Sequence, residues 1–242
     1  MTALLRIEYL LTKRSVGNFL LGIGMPVIFF LFFSSMFDTS YEDAAGLTRN
    51  YLLTMTAFSM SSFALFSFPS MLEEDIRNRW LLQIQHSPIP LYQYYAAKVF
   101  RVFLSFIISI VVNFAVGAVF RGVRMTADQW LVSAFLLLIA SMVYLAIGLA
   151  LTLFKSLQTL SVVANILYLV LAIFGGSWMP YETFPNWMKL VAHFTPSYYA
   201  NQLVLSYVKD NHLQFQSLLM VFLYTIIIVG LTLVLKKKQE VR

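Results

Sequence analysis

The chain contains no cysteine among its 242 residues. This absence excludes disulfide bonds, iron–sulfur clusters and metal sites with thiolate ligands. Charged residues are also scarce, because they make up 12% of the sequence whereas hydrophobic residues make up 60%. Soluble proteins have about a quarter of their residues charged and roughly half apolar. The composition therefore indicates an integral membrane protein, in which the net charge of +6 reports orientation rather than nucleic-acid binding.

Charges are missing altogether from six apolar runs. The runs cover residues 16–37, 51–70, 102–120, 130–154, 157–179 and 218–235, and none of them contains Asp, Glu, Lys, Arg or His. A helix that crosses a bilayer needs about 20 apolar residues, and each run is close to that length. The sequence thus predicts an all-α integral membrane protein, a single transmembrane domain over residues 1–242 with six transmembrane helices.

The missing intramembrane charges also bear on mechanism. Ion-coupled transporters usually keep ionisable side chains at membrane depth, so a transporter or channel acting alone is disfavoured, although backbone-coordinated ion sites on broken helices stay open. No G-x-x-x-x-G-K-[ST] loop for nucleotide hydrolysis is present. The histidines and carboxylates lack metal-site or triad spacing. We therefore expect a transport subunit rather than an enzyme, with no catalytic, cofactor-binding or metal-binding residues of its own.

The first 15 residues precede the first apolar run. Leu4, Ile7 and Leu11 fall on one helical stripe, with Arg6 and Lys13 largely opposite. This pattern is typical of an amphipathic helix at the membrane surface, and the alternative is an ordinary charged flank of the first span. A cleaved signal peptide is not expected, because the run that follows exceeds the roughly 7–15 residues of a signal core and more spans come after it.

Lys and Arg divide unevenly between the two sides of six spans. With both termini inside, the inner cations are Arg6, Lys13, Arg14, Arg77, Arg79, Lys98, Arg101, Lys155, Lys236, Lys237, Lys238 and Arg242. The outer cations are Arg49, Arg121, Arg124, Lys189 and Lys209. Because cytoplasmic loops carry the excess of Lys and Arg, both termini are predicted to be cytoplasmic. Arg121 and Arg124 are the local exception. The absence of large soluble domains and cysteines favours a bacterial cytoplasmic membrane.

One long polar stretch, residues 71–101, lies between two spans on the predicted cytoplasmic side. It opens with carboxylates and arginines and continues as an amphipathic segment that looks like a short docking helix. The residues that we expect to make the docking contact are Glu73, Glu74, Asp75, Arg77, Arg79, Trp80, Ser87 and Pro88. In a chain without a motor of its own, such a segment suggests a half-transporter driven by a separate ATPase. A scaffold that only recruits a partner is an alternative.

Asn113 and Asn165 lie well inside the apolar runs, away from their ends. Hydrogen bonding between helices is the commonest use of such residues, and lining of a substrate pathway is the other interpretation.

Small residues and prolines also punctuate the segment before the last span. They are Gly175, Gly176, Pro180, Pro185, Trp187, Thr195 and Pro196. The glycines loosen the end of a helix, the prolines break the chain into short helices, and the tryptophan suits the outer headgroup region. A plain aromatic loop is the alternative.

Two stretches, in this order, resemble the permease subunits of type-2 ABC exporters, in particular the drug, bacteriocin and polyketide export group. Residues 73–98 are similar to that family's second internal loop, with an acidic residue, a short helix near residues 75–86, Ser87-Pro88, and Lys98 at the start of the third span. Residues 174–204 are similar to its outer signature of small residues, prolines with Trp, and Thr-Pro. Many relatives have a glycine–threonine pair near the start of the short helix, where this chain has Asn78, Arg79 and Trp80.

The resemblance implies a cytoplasmic coupling helix within residues 73–87 and extracellular re-entrant helices within residues 180–200. It also implies a pair of partner ATPase subunits that bind ATP and Mg²⁺, and a second copy of the chain or a homologue that completes the pathway. By analogy, the passenger is an amphipathic drug, an antimicrobial peptide or a lipid-like molecule. A permease for lipid-linked polysaccharide and an ion-coupled transporter without an ATPase are the alternatives.

Overall fold

The computed structural model describes residues 2–14, 16–40, 43–154 and 156–240. This part of the chain contains α-helices and no β-strand, and six of its helical stretches are long and apolar enough to cross a membrane. The predicted all-α membrane fold with six spanning helices is confirmed. Met1, Ser15, Lys155 and Arg242, which the sequence assigns to the cytoplasmic side, lie outside the described residues.

The helices follow one another with short connections. Their bounds are α1 Thr2–Arg14, α2 Val16–Ser40, α3 Ala44–Ser62, α4 Phe68–Arg77, α5 Trp80–Gln85, α6 Leu91–Phe120, α7 Ala127–Leu151, α8 Leu157–Phe174, α9 Asn186–Ala192, α10 Pro196–Asp210 and α11 Phe215–Glu240. A five-residue π-helix, Phe63–Ser67, joins α3 directly to α4, and a short 3₁₀ turn, Tyr181–Thr183, precedes α9.

Several helices extend beyond the runs that the sequence predicts. The second span, predicted over residues 51–70, is part of a continuous helical column from Ala44 to Arg77. The third span, predicted over residues 102–120, begins at Leu91, whereas the fifth, predicted to reach residue 179, ends at Phe174. Each predicted span ends near the first charged residue outside the apolar run. In the second and third spans, the backbone hydrogen bonds of the helix continue past that residue. Most of the polar stretch 71–101 is therefore helical.

The helical column Ala44–Arg77 forms the centre of the bundle. Within its apolar window 89% of the residues are buried, whereas only 11% are buried in the window of the last span, Phe215–Lys238. The column packs against α2, α6, α7 and α8, whereas the last span, α11, packs against α7 and α10. The exposed apolar side chains of α2, α8 and α11 lie on the outside of this bundle.

A short polar chain connects three helices inside the bundle. The Ser59 hydroxyl donates to the carbonyl of Gly22 at 2.8 Å, and the Ser109 hydroxyl donates to Ser59 at 2.8 Å. The first bond joins α3 to α2, and the second joins α6 to α3. Hydroxyls that bond across helices in this way stabilise the association of the helices. Apolar side chains contribute little specificity there, because lipid is as apolar as they are.

Helix α7 approaches the central column most closely at Gly148. A Cβ atom at this glycine would overlap the carbonyl oxygen of Ala64, which lies in the π-helix. The π-helix widens one turn of the column and α7 passes directly over it, a contact that only a residue without a side chain permits.

We predict that Gly148→Ala destabilises the protein by about 1–3 kcal/mol, the usual cost of adding a methyl group to a closely packed contact. Gly230→Ala is the matched control, because a Cβ atom there would meet nothing within 4 Å. Thermal unfolding of both variants in detergent should show a lower midpoint for the first and an unchanged or higher midpoint for the second. Equal midpoints would contradict the close packing of α7 on the column.

Candidate functional site

The first helix and the end of the last helix lie at the same end of the bundle. The Lys236 ammonium donates to the hydroxyl of Tyr95 at 3.1 Å, which joins the end of α11 to the beginning of α6. Helix α1 also packs along the beginning of α6. We call this end of the bundle the terminal end. The other end of the bundle, where α2 connects to α3 and α6 connects to α7, is called the opposite end.

The docking segment, residues 73–88, lies at the terminal end and differs from the predicted single helix over residues 75–86. Helix α4 ends at Arg77, and α5 begins at Trp80 after a tight turn. Arg79 adopts a left-handed backbone conformation with φ of 58°, which stops one helix and starts the next in a new direction. Glycine adopts this conformation without strain, so a glycine would suit this turn better than arginine does.

The side chains of the docking segment divide into exposed and anchored groups. Glu74, Arg77 and Arg79 are exposed at the turn, together with Pro88, whereas Glu73 is half-buried. Trp80 packs against the core beside the buried Ile84. The Ser87 hydroxyl donates to the carbonyl of Ile84 at 2.7 Å and closes the end of α5. The turn therefore presents charges of both signs on an anchored scaffold.

Asp75 differs from its neighbours because it points into the protein. Its Oδ2 atom lies 2.7 Å from the Lys98 ammonium and accepts a hydrogen bond from the Tyr94 hydroxyl at 2.6 Å. The Asp75 side chain is therefore bound within the chain, and its predicted contact with a docking partner stays a prediction. The physical reason is helical spacing, since Asp75 lies on the face of α4 that meets α6, whereas Glu74 and Arg77 do not.

The same lysine also binds the first helix. Lys98 Nζ lies 2.8 Å from Glu8 Oε1, and Arg101 Nη1 lies 3.3 Å from Glu8 Oε2. The side chains of Lys98 and Glu8 are only 3% and 5% exposed. We refer to Glu8, Asp75, Tyr94, Lys98 and Arg101 as the charge cluster. It joins α1, α4 and α6 in one buried site.

Sequence reasoning missed Glu8 as a functional candidate. The predicted stripe of Leu4, Ile7 and Leu11 suggested an apolar buried face, but only Leu4 of these three is buried. The buried face of α1 instead consists of Leu4, Glu8 and Thr12. One signal was available, because Glu8 is the single acidic residue among the first 37 positions.

A groove opens between α2, the central column and α8, with a volume of about 610 Å³. Its lining residues are mostly apolar or aromatic and comprise Leu21, Gly22, Met25, Phe29, Phe58, Ser62, Phe66, Ser67, Asn165, Tyr168, Leu169 and Trp178. Ligand pockets of roughly 300–1,000 Å³ with an apolar lining and few polar groups are the usual sites for small molecules.

Aromatic rings form the wall of this groove. Tyr168 stacks on Phe58 with ring centroids 4.3 Å apart, and Phe66 meets the edge of Tyr168 at 5.3 Å. Trp178 lies edge-on to Phe29 at 5.9 Å. The indole N–H of Trp178 is buried and has no hydrogen-bond partner among the described residues. The groove thus has a large aromatic surface and few polar groups.

The two asparagines predicted as possible pathway residues occupy different environments. Asn165 lines the groove and donates to the carbonyl of Ser161 at 2.8 Å. Asn113 is only 1% exposed, and it donates to the carbonyl of Ser109 at 2.8 Å beside the polar chain of the bundle interior. The structure therefore brings Asn165 to the groove and keeps Asn113 in the interior packing.

The segment after α8 begins with a tightly packed turn. Gly176 has a left-handed conformation with φ of 77°, and a Cβ atom at Gly175 would overlap Ser197. Asn201 donates to the carbonyl of Gly175 at 2.7 Å. Pro180 precedes the 3₁₀ turn, Pro185 precedes α9, and Thr195-Pro196 starts α10, while Trp187 is exposed.

This segment contacts the last span, α11. The Tyr224 hydroxyl donates to the carbonyl of Phe194 at 3.1 Å, and Tyr224 lies nine residues after the start of α11, or about 14 Å along a helix. Helix α10 then returns to the opposite end and continues to Asp210, beyond the predicted limit of residue 200. There Tyr207 donates to Asp128 at 2.5 Å, a hydrogen bond that raises the pKa of Tyr207.

Comparison with known proteins adds two findings. Residues 1–209 match the family model described as ABC-2 type transporter. The chain is also 26% identical over 231 residues to YvfS of Bacillus subtilis (strain 168), a protein with an inferred assignment as a transport permease, and the alignment covers 94% of each chain. The matched region includes the docking segment, the charge cluster, the groove and the segment up to α10.

The left-handed conformation of Arg79 generates a stability prediction. Arg79→Gly should be about 1 kcal/mol more stable than Arg79→Ala, because only glycine removes the backbone strain of a positive φ. Gln83 is exposed to solvent and lies in the middle of α5. At this position the order should be reversed, with Gln83→Ala about 1 kcal/mol more stable than Gln83→Gly. Thermal unfolding of the four variants in detergent measures both differences. The same order at both positions would exclude a left-handed Arg79.

Proposed function

Because the chain belongs to the ABC-2 type transporter family, we propose that it is the membrane permease subunit of an exporter driven by a separate ATPase. The observation that carries the proposal is the continuous helical column from Ala44 to Arg77. Its middle part supplies Phe58, Phe66 and Ser67 to the groove, and its end carries the docking segment. A force applied to the docking segment therefore acts directly on a helix that lines the groove.

The docking segment is the proposed contact with the ATPase. No nucleotide-binding loop exists in the sequence, so ATP and Mg²⁺ bind to the partner and the energy enters the permease through its surface. Glu74, Arg77 and Arg79 offer exposed charges of both signs on a turn that is anchored from beneath by Trp80 and Ile84. An anchored turn of this kind transmits motion because it does not deform when it is pushed.

The groove is the proposed half of the substrate pathway. Its aromatic wall favours amphipathic passengers such as drugs, antimicrobial peptides or lipid-like molecules. The groove is open along one side, so a second copy of the chain or a homologue would close it. ATP-driven closure of two ATPases would then switch the pair between inward-facing and outward-facing states.

The proposed location is the cytoplasmic membrane of a bacterium, with both termini and the docking segment in the cytoplasm. The hairpin of α9 and α10 would then enter the membrane from the outside. The cation distribution supports this orientation, since the terminal end carries Lys236, Lys237 and Lys238 besides the arginines of the docking segment.

The first experiment tests ATPase docking. During purification in mild detergent, the triple variant Glu74→Ala/Arg77→Ala/Arg79→Ala should bind roughly tenfold less ATPase than the wild type. The reason is that truncating charged groups at the centre of an interface lowers the binding free energy by several kcal/mol. Asp75 is left intact, since its loss would disturb the charge cluster instead.

The matched control for this experiment removes the same charges at the opposite end. Arg124, Lys209 and Asp210 are exposed there, so the triple alanine variant at these positions also loses two cations and one anion. It should co-purify with the ATPase as the wild type does. Equal retention by both variants would refute docking at residues 73–88, and a wild-type chain that purifies without any ATPase would refute the proposed function.

The second experiment tests the groove. Tyr168→Ala should raise the concentration of an amphipathic fluorescent dye needed for half-maximal ATPase stimulation by roughly fivefold, because an aromatic contact with the dye contributes about 1 kcal/mol. Phe222→Ala is the control, since Phe222 is an exposed aromatic residue of α11 outside the groove. If both substitutions shift the dye response equally, the passenger does not bind at Tyr168.

A further inference from the structure

The charge cluster does more than neutralise buried groups, and the geometry points to a role in coupling. We infer that Glu8 and Lys98 are positioning residues that fasten α1 and the docking segment to α6, so that the three move as one unit when the ATPase pushes. The inference rests on the proposed function, because it concerns how the motion of the docking segment reaches the spans.

The shared ammonium is the first step of the inference. Lys98 lies 2.8 Å from Glu8 on α1 and 2.7 Å from Asp75 on α4, so one cation binds a carboxylate from each neighbouring helix. Both distances are at the short limit for such pairs. A displacement of α4 relative to α6 by about an ångström would break one of these contacts, so the cluster fixes the relative positions of the helices rather than merely holding them near each other.

A role in stability alone does not explain this arrangement. A buried ion pair usually contributes no more to stability than well-packed apolar residues of similar volume. The site is neutral, with two carboxylates and two cations, and it buries Lys98 to 3% exposure. What charges add over apolar packing is directional specificity, because hydrogen-bonded ions tolerate only a narrow range of distances.

Two hydrogen bonds to a single oxygen atom of Asp75 hold α4, the helix that leads into the docking turn, to α6. Asp75 Oδ2 accepts from both the Tyr94 hydroxyl and the Lys98 ammonium, and these two residues are four apart on α6. Asp75 is two residues before the exposed Arg77, at the last turn of α4. A push on the docking segment therefore acts on the beginning of α6 through Asp75.

On the other side, the charge cluster holds α1. Ile7 and Leu11 are 42% and 39% exposed, so the apolar residues of α1 largely point away from the protein. Glu8 points toward it and binds both Lys98 and Arg101. Because Glu8 and Asp75 bind the same ammonium, the position of α1 depends on the position of the docking segment.

The test uses the complete permease–ATPase complex reconstituted in lipid vesicles. Glu8→Gln should leave ATPase association and the rate of ATP hydrolysis unchanged but lower the amount of dye transported per ATP by about tenfold, within the 5–150-fold range of typical coupling. Arg6→Gln, which removes a charge from the exposed face of the same helix, should leave the ratio unchanged. Glu8→Asp, which keeps the carboxylate, should restore part of the ratio.

A purely structural role predicts a different result. Transport and ATP hydrolysis would then fall in the same proportion as the amount of folded chain, and the ratio would stay at the wild-type value. That outcome, or an unchanged transport rate, would overturn the inference.

Hydrogen exchange of the permease alone gives a second readout that needs no ATPase. Glu8→Gln should raise amide exchange in α1 and also in residues 73–85, because both segments depend on Lys98, whereas Arg6→Gln should raise neither. Faster exchange in α1 without any change in residues 73–85 would show that the two are not linked. This readout separates failure of the inference from failure of the proposed function.

Discussion

The ammonium group of Lys98 is buried between two carboxylates from different helices, and the arrangement of the terminal end follows from its neutralisation. An unpaired buried charge costs several kcal/mol, so α6 cannot occupy its place unless α1 and α4 bring Glu8 and Asp75 to it. Arg101 then donates to the second carboxylate oxygen of Glu8, and the Tyr94 hydroxyl donates to the Asp75 oxygen that also binds Lys98. Helix α1 and the end of α4 are thereby fixed by electrostatics in addition to the apolar packing of Leu4 and Leu72.

The bundle interior depends on a different constraint, which is the burial of one helix on every side. The column Ala44–Arg77 is buried over most of its apolar window, and it connects to α2 through Ser59. Gly148 of α7 fits over the π-helix. This column is continuous from the groove wall to the docking segment. The same helical column is therefore held by interior packing in its middle and by the charge cluster at the terminal end.

The sequence was informative where a single local property decides the outcome. Six runs without charge predicted six spans, because charge in lipid is expensive for any fold. Helix ends were less predictable, since Glu73 and Arg77 continue a helix that had already left the apolar run. Asn113 and Asn165 could not be distinguished, because which face of a helix meets a neighbour depends on distant elements. The pairing of Glu8 with Lys98 spans 90 positions, and Arg79 occupies a conformation that favours glycine.

The sparse burial of α11 has a consequence for the conditions under which the protein works. Only 11% of its apolar window is covered by the rest of the chain, so acyl chains supply most of its surroundings. A helix in this position responds to hydrophobic mismatch by tilting, at a cost of fractions of a kcal/mol per ångström. Lys236, which bonds to Tyr95, would move with that tilt. Lipid chain length is therefore a determinant of the geometry at the beginning of α6, and with it of the helices fastened there.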